Sequence, residues 1–187
     1  MQRGVLLVPG NRLRDGVWAA GTAEENLTVP VLEDFQNWKG LDARKIRTLA
    51  TRLMQRARVH PAEPEFPVTD FSGGNQQKLV FMKWLQLNPQ VLLLDEPTQG
   101  VDPGAAKLLL EEMVEAAKAG AAVAMFSGDH EQLVATCHRV LVLHQGRIVA
   151  ELAGKLSPKP RYSKRVTDQS PCEAASRRPL TPARSDS

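Results

Sequence analysis

Four consecutive aliphatic residues, Val91-Leu-Leu-Leu94, run directly into two carboxylates, Asp95 and Glu96. No other feature constrains the fold as tightly. A short, unbroken aliphatic run predicts a strand buried on both faces of a parallel sheet. Ligands of open α/β sheets bind beyond the carboxyl ends of the strands, where a magnesium-binding Asp and a water-activating Glu are useful. On a surface loop the same pair would be solvated charge, a reading that the preceding aliphatics and the following Pro97-Thr98 disfavour.

Upstream of this strand lies Phe71-Ser-Gly-Gly-Asn-Gln-Gln-Lys78. Ser72 can cap a helix beginning at Gly73, and Gly73 and Gly74 carry no side chain to keep a ligand from the backbone N–H groups. Unpaired N–H groups at the positive end of a helix dipole suit a phosphate. Ser-Gly-Gly alone fits an ordinary capped helix equally well. The helical pattern runs on from Gln76 through Leu79, Met82 and Leu85.

The residues 71–78 resemble the signature motif of ABC ATPases, Val91 to Glu96 its Walker B strand, and Gly100-Val-Asp102 its D-loop. With Lys83-Trp-Leu85 and Asp95-Glu-Pro-Thr-Gln-Gly-Val-Asp102, the stretch is most similar to the second nucleotide-binding domain of ribose-type sugar importer ATPases. The resemblance extends from about residue 4 to residue 152. It implies a partial P-loop NTPase fold of α/β class: a mostly parallel sheet, a helical signature region over 11–88, a Walker B to C-terminal region over 89–154, and a C-terminal β-hairpin. It implies ATP and Mg²⁺ as cofactors in a composite site. Ser72, Gly73, Gly74, Gln76 and Asp102 would bind the nucleotide, Asp95 the metal, and Glu96 would be the catalytic residue. The implied partners are a second ABC ATPase domain and a membrane permease subunit, with no nucleic acid. The implied location is the cytoplasmic face of the cell membrane, held there through the permease.

The sequence departs from the family pattern in three places. No GxxxxGK[ST] phosphate loop occurs in the 187 residues, so the resemblance is to a truncated domain, and its strand, next to the one at 121–126 in the family fold, is also missing. The Q-loop position, a Gln or Glu that touches magnesium and permease, is here Gly10. The switch position that carries a His in many ABC domains is Gly128, with His130 two residues later. These departures leave open whether the chain hydrolyses ATP. The leading reading is an ATP-binding component of an ABC-type sugar importer. The alternatives are a non-catalytic partner module and an inactive, truncated gene product.

The rest of the chain reads as alternating strands and helices with short links, which argues a parallel α/β core. Residues 4–8 predict a buried strand ended by Pro9-Gly10, followed by the basic segment Asn11-Arg-Leu-Arg-Asp15. Thr22 and Glu25 have capping-box spacing. Residues 42–58 predict an amphipathic helix with Ile46, Leu49, Leu53 and Met54 on one stripe and a solvated arginine face. Pro61, Pro64 and Pro67 stiffen the connection to the signature turn. Phe35 and Trp38 read as core or as a partner-facing patch. A helix from Pro103 to Lys118, a strand at 121–126, a short helix at 129–137 and a hairpin across His144-Gln-Gly146 follow.

The net charge of +3 is unevenly spread. Residues 155–187 hold eight Lys/Arg against three Asp/Glu, and the rest of the chain sixteen against eighteen. The basic character therefore belongs to the tail, which predicts a disordered segment and argues against nucleic-acid binding by the body. Cys137 and Cys172 have no metal-type spacing with each other or with the histidines, and Cys172 lies in the tail, a usage that fits a reducing cytosol. No apolar run reaches transmembrane length.

Overall fold

A computed structural model describes residues 4–38 and 40–153. The expected disordered tail, 155–187, lies outside them. Residues up to Thr136 form one compact unit and those from Cys137 a second, and each is described by itself.

The first unit is built on a three-stranded parallel sheet: β1 (Val5–Val8), β4 (Val91–Asp95) and β5 (Ala122–Phe126), in the order β1-β4-β5. In register, Val5 lies opposite Val91 and Val91 opposite Ala122, while Leu7, Leu93 and Ala124 form the next rung on the same face. The opposite face carries Val8, Leu92 and Leu94, all buried. The expectation of burial on both faces is corrected here. Val5 is 61% exposed, Leu7 53% and Phe126 66%, so the sheet has one covered face and one open apolar face.

Between β1 and β4 the chain makes a helical region. A single wide turn, Arg12–Gly16, leads to α1 (Ala23–Thr28), whose capping box is complete: Glu25 N–H donates to Thr22 Oγ1 at 3.2 Å and Thr22 N–H to Glu25 Oε2 at 2.7 Å. A 3₁₀ stretch, Val29–Phe35, and the short strands β2 (Gln36–Asn37) and β3 (Gly40–Leu41) precede α2 (Ala43–Arg56). Trp38, between those strands, is 89% exposed and is not part of the core. Ile46, Leu53 and Met54 of α2 are buried with Ala50, as the stripe predicts. The arginine face is less solvated than expected, because Arg56 Nε donates to Glu112 Oε1 at 3.0 Å and Arg47 Nε to Glu24 Oε2 at 3.1 Å.

The helix α3 (Gly73–Leu85) is the centre of the core, with Leu79, Val80, Phe81 and Met82 all buried. The Arg12–Gly16 turn is seated along it. A Cβ on Gly16 would lie 3.1 Å from Val80, and Lys83 Nζ donates to the Gly16 carbonyl at 3.2 Å. Burial pushes the Lys83 pKa down. The helix α4 (Pro103–Lys118) starts at the Asp102 cap with Pro103 in its first turn, and α5 (His130–Thr136) follows β5.

In the second unit β6 (Arg139–His144) and β7 (Arg147–Ala153) pair antiparallel. Gln145 and Gly146 both have positive φ, 46° and 75°, as a two-residue turn matching the strand twist requires.

Candidate nucleotide site

The Ser72-Gly-Gly turn opens α3 in the manner its sequence predicts. Ser72 is extended at φ −57° and ψ 155°, its hydroxyl accepts the Asn75 N–H at a long 3.4 Å, and its carbonyl accepts the Gln76 N–H at 2.9 Å. The Gly73 and Gly74 N–H groups have no acceptor among the described residues, as expected for a helix's first turn.

The two glycines are flanked by different charges. A Cβ on Gly74 would meet Asp102 Oδ2 at 3.3 Å, and one on Gly73 would meet Arg12 Nη2 at 2.4 Å, closer than packed atoms allow. A side chain at either position would press on one of these charged neighbours, and both glycines are half-buried. Asp102 caps α4, accepting the Ala105 N–H at 2.9 Å, and this bond more than any other factor holds its carboxyl below the usual carboxylate range.

Asp95 is the exposed last residue of β4. A Cβ on Gly10 would stand 3.0 Å from Asp95 Oδ2 and 3.1 Å from the Asp95 carbonyl, so Asp95 packs closely on the bare backbone of position 10. Glu96 adopts φ +43°, a left-handed conformation uncommon outside glycine and Asn. Its N–H donates to the Phe126 carbonyl at 2.9 Å, and its Oε1 accepts the Gly128 N–H at 2.8 Å. Ser127 Oγ lies 3.4 Å from Oε2. The Glu96 carboxylate is therefore oriented by the backbone of Gly128, the residue that the sequence places at the expected switch position.

Gln76 does not join this group. It is 7% exposed, and its side-chain amide donates to the Val68 carbonyl at 3.2 Å on the inward side of α3. Two residues outside the expected set do join it. Gln77, fully buried, donates through Nε2 to the Pro97 carbonyl at 3.0 Å, and Arg12 lies over Gly73. The basic run around Arg12 was the only sequence signal for the latter.

The glycine backbone cradle fits a phosphate group. The fit to magnesium rests on one carboxylate, since no cluster of three His, Cys, Asp or Glu side chains able to hold a metal occurs among the described residues. Magnesium bound to nucleotide keeps waters and phosphate oxygens and needs only one or two protein carboxylates, so Asp95 alone fits that mode. A groove lined by Leu110, Val114, Lys118 and Gln132 lies on α4 and α5 and includes none of these residues.

The ABC transporter family model matches residues 5–99, half of the chain, and its span includes both the Ser72 turn and the Asp95-Glu96 strand end. The chain belongs to the ABC transporter family. Among curated ABC relatives, the ribose import ATP-binding protein RbsA of Geobacillus kaustophilus is 37% identical over 152 residues, covering 81% of this chain and 31% of the relative. The xylose import ATP-binding protein XylG of Yersinia pseudotuberculosis is 37% identical over 153 residues, covering 81% and 30%. The chain thus spans about a third of the length of these relatives. The fold is similar to the dimeric, post-hydrolysis ATP-binding cassette MJ0796 bound to ADP and Pi. The TM-score is 0.68 at 19% identity, over 80% of this chain and 62% of the cassette.

Proposed function

We propose that this ABC family member is the ATP-binding component of a sugar import system, and that its part is to present the Ser72–Gly74 turn to ATP held by a second ATPase domain. The observation that carries the reading is the start of α3, where the Gly73 and Gly74 N–H groups have no acceptor among the described residues and Arg12 and Asp102 crowd the two Cβ positions. The similarity to ribose and xylose import proteins supports the sugar class.

Bound ATP supplies the phosphoanhydride that is cleaved. The chain's own groups orient it. The Gly73 and Gly74 N–H groups and the Ser72 hydroxyl would donate to the terminal phosphate, an interaction that strengthens as charge develops on its oxygens. Asp95 and Glu96, the latter aimed by the Gly128 N–H, would serve magnesium and water only for ATP held in the chain's own half-site, which the signature role does not require. A permease subunit would hold the chain at the cytoplasmic face of the membrane.

A second reading, a non-catalytic module that completes another subunit's site, is favoured by Gly10, which has no side chain to reach a metal or a permease. One experiment addresses both. The Geobacillus kaustophilus relative, deleted of its aligned 152 residues, is assayed for ATP hydrolysis with and without the full-length chain added. Stimulation by the wild-type chain supports the proposal, and its absence at saturating chain counts against both readings.

A further inference from the structure

Arg12 lies over the signature turn with no carboxylate beside it among the described residues. Its guanidinium spans two backbone segments. Nη2 lies 2.4 Å from where a Gly73 Cβ would be, and Nη1 is 3.6 Å from the corresponding point on Gly100 and 3.5 Å from the Gln99 carbonyl, long for a hydrogen bond. Its Nε is buried with no acceptor, and no carboxylate among the described residues forms an ion pair with it. A cation set against the positive end of a helix is unfavourable, and a neutral side chain of equal length would pack at lower cost. The turn that carries Arg12 is also fastened to α3 further along, through Gly16 on Val80 and through Lys83.

We propose that Arg12 is a positioning residue: its planar fork fixes the spacing between the signature turn at Gly73 and the Gln99–Gly100 loop, so that both face the second domain's nucleotide in register. This rests on the function proposed above. A residue larger than glycine at 73 would push the Nη2 end of the fork aside. A lysine would carry the charge but has a single point of contact, and a methionine would fill the space without donors.

The test uses the full-length chain as wild type, Arg12→Met and Arg12→Lys, with two readouts. Hydrogen exchange on the chain alone follows the Gln76, Gln99 and Val101 amides, all bonded in the structure. Both variants are expected to speed exchange in both segments by at least about tenfold, the scale of losing a charge-assisted contact, and to leave β4 amides and the melting temperature unchanged. In the reconstituted hydrolysis assay, both are expected to lower kcat about tenfold with KM within about twofold. Wild-type exchange in either segment, or full activity of Arg12→Met, overturns the proposal. If the wild-type chain gives no stimulation, the functional reading fails, and the exchange experiment alone decides the role of Arg12.

Discussion

Gln77 Nε2 donates to the Pro97 carbonyl at 3.0 Å, joining the signature helix to the residue that follows Glu96. The bond is fully buried, and the Gln77 Oε1 atom has no partner. Gln77→Leu removes that unsatisfied acceptor but orphans the Pro97 carbonyl, for a net cost of about 1–2 kcal/mol. Gln77→Glu sets a carboxylate against a carbonyl in a buried site and should cost more. Urea unfolding of the three proteins checks the order, and an equal midpoint for Glu and Gln would refute the bond.

Changing Ser72 to Arg should abolish the stimulation of a second ATPase domain, because a long side chain at the start of α3 fills the phosphate's approach. Glu96→Gln should reduce it far less. The same hydrolysis assay decides, and equal losses would mean that this chain cleaves nucleotide in its own half-site.

Titration of the chain alone with a fluorescent ATP analogue and magnesium should show weak binding at most, since converging N–H groups with a phosphate-loop lysine are absent from the sequence. Low-micromolar binding that Asp95→Asn weakens would reveal a phosphate site on this chain that the present account lacks.

Acid should expose the Asp102 cap. The Ala105 N–H leads the groups that lower its pKa, followed by other backbone donors and the Lys78 charge. A depressed folded-state pKa means that its contribution is fully present above the unfolded aspartate value, about 3.9, and is lost as pH falls through the folded value. The melting temperature of Asp102→Asn should therefore vary less than wild type below about pH 4. Parallel curves for the two proteins would argue against the cap.

The open sheet face should drive self-association. Val5, Leu7 and Phe126 stand exposed on one side, and β5 pairs with β4 alone, so its far edge offers unpaired backbone groups. The chain is expected to be oligomeric by light scattering, with weak amide protection over 122–126, and Phe126→Lys should shift it toward monomer. A monodisperse wild-type monomer with a cooperative melt and protected β5 amides would contradict this.

Much of this was legible in local sequence. Val91 to Asp95 forms the strand its aliphatic run predicts, Thr22 and Glu25 close their capping box, and the turn at Gln145-Gly146 joins the predicted hairpin. What local pattern cannot give is the partner of a side chain far along the chain: the basic run around Arg12 marks charge but not Gly73 as its neighbour, and nothing near Gln77 points to Pro97. Gln76 is a different case. It stands three and four residues before Leu79 and Val80 on the buried stripe, so its inward direction could have been read from helical phase. The open face of β4 was illegible because an aliphatic run records what a strand is suited to touch and not whether anything is there.

The rung that joins Val5 to Val91 also bears on the order of assembly. During synthesis residues 5–8 emerge well before the strand at 91–95 that they pair with, while α1, α2 and α3 can already pack on one another. Closing so long a loop delays the sheet, and a late-forming parallel sheet keeps its apolar strands accessible on the ribosome. A chaperone that binds extended aliphatic segments would therefore meet residues 5–8 first and compete with residues 91–94 for them.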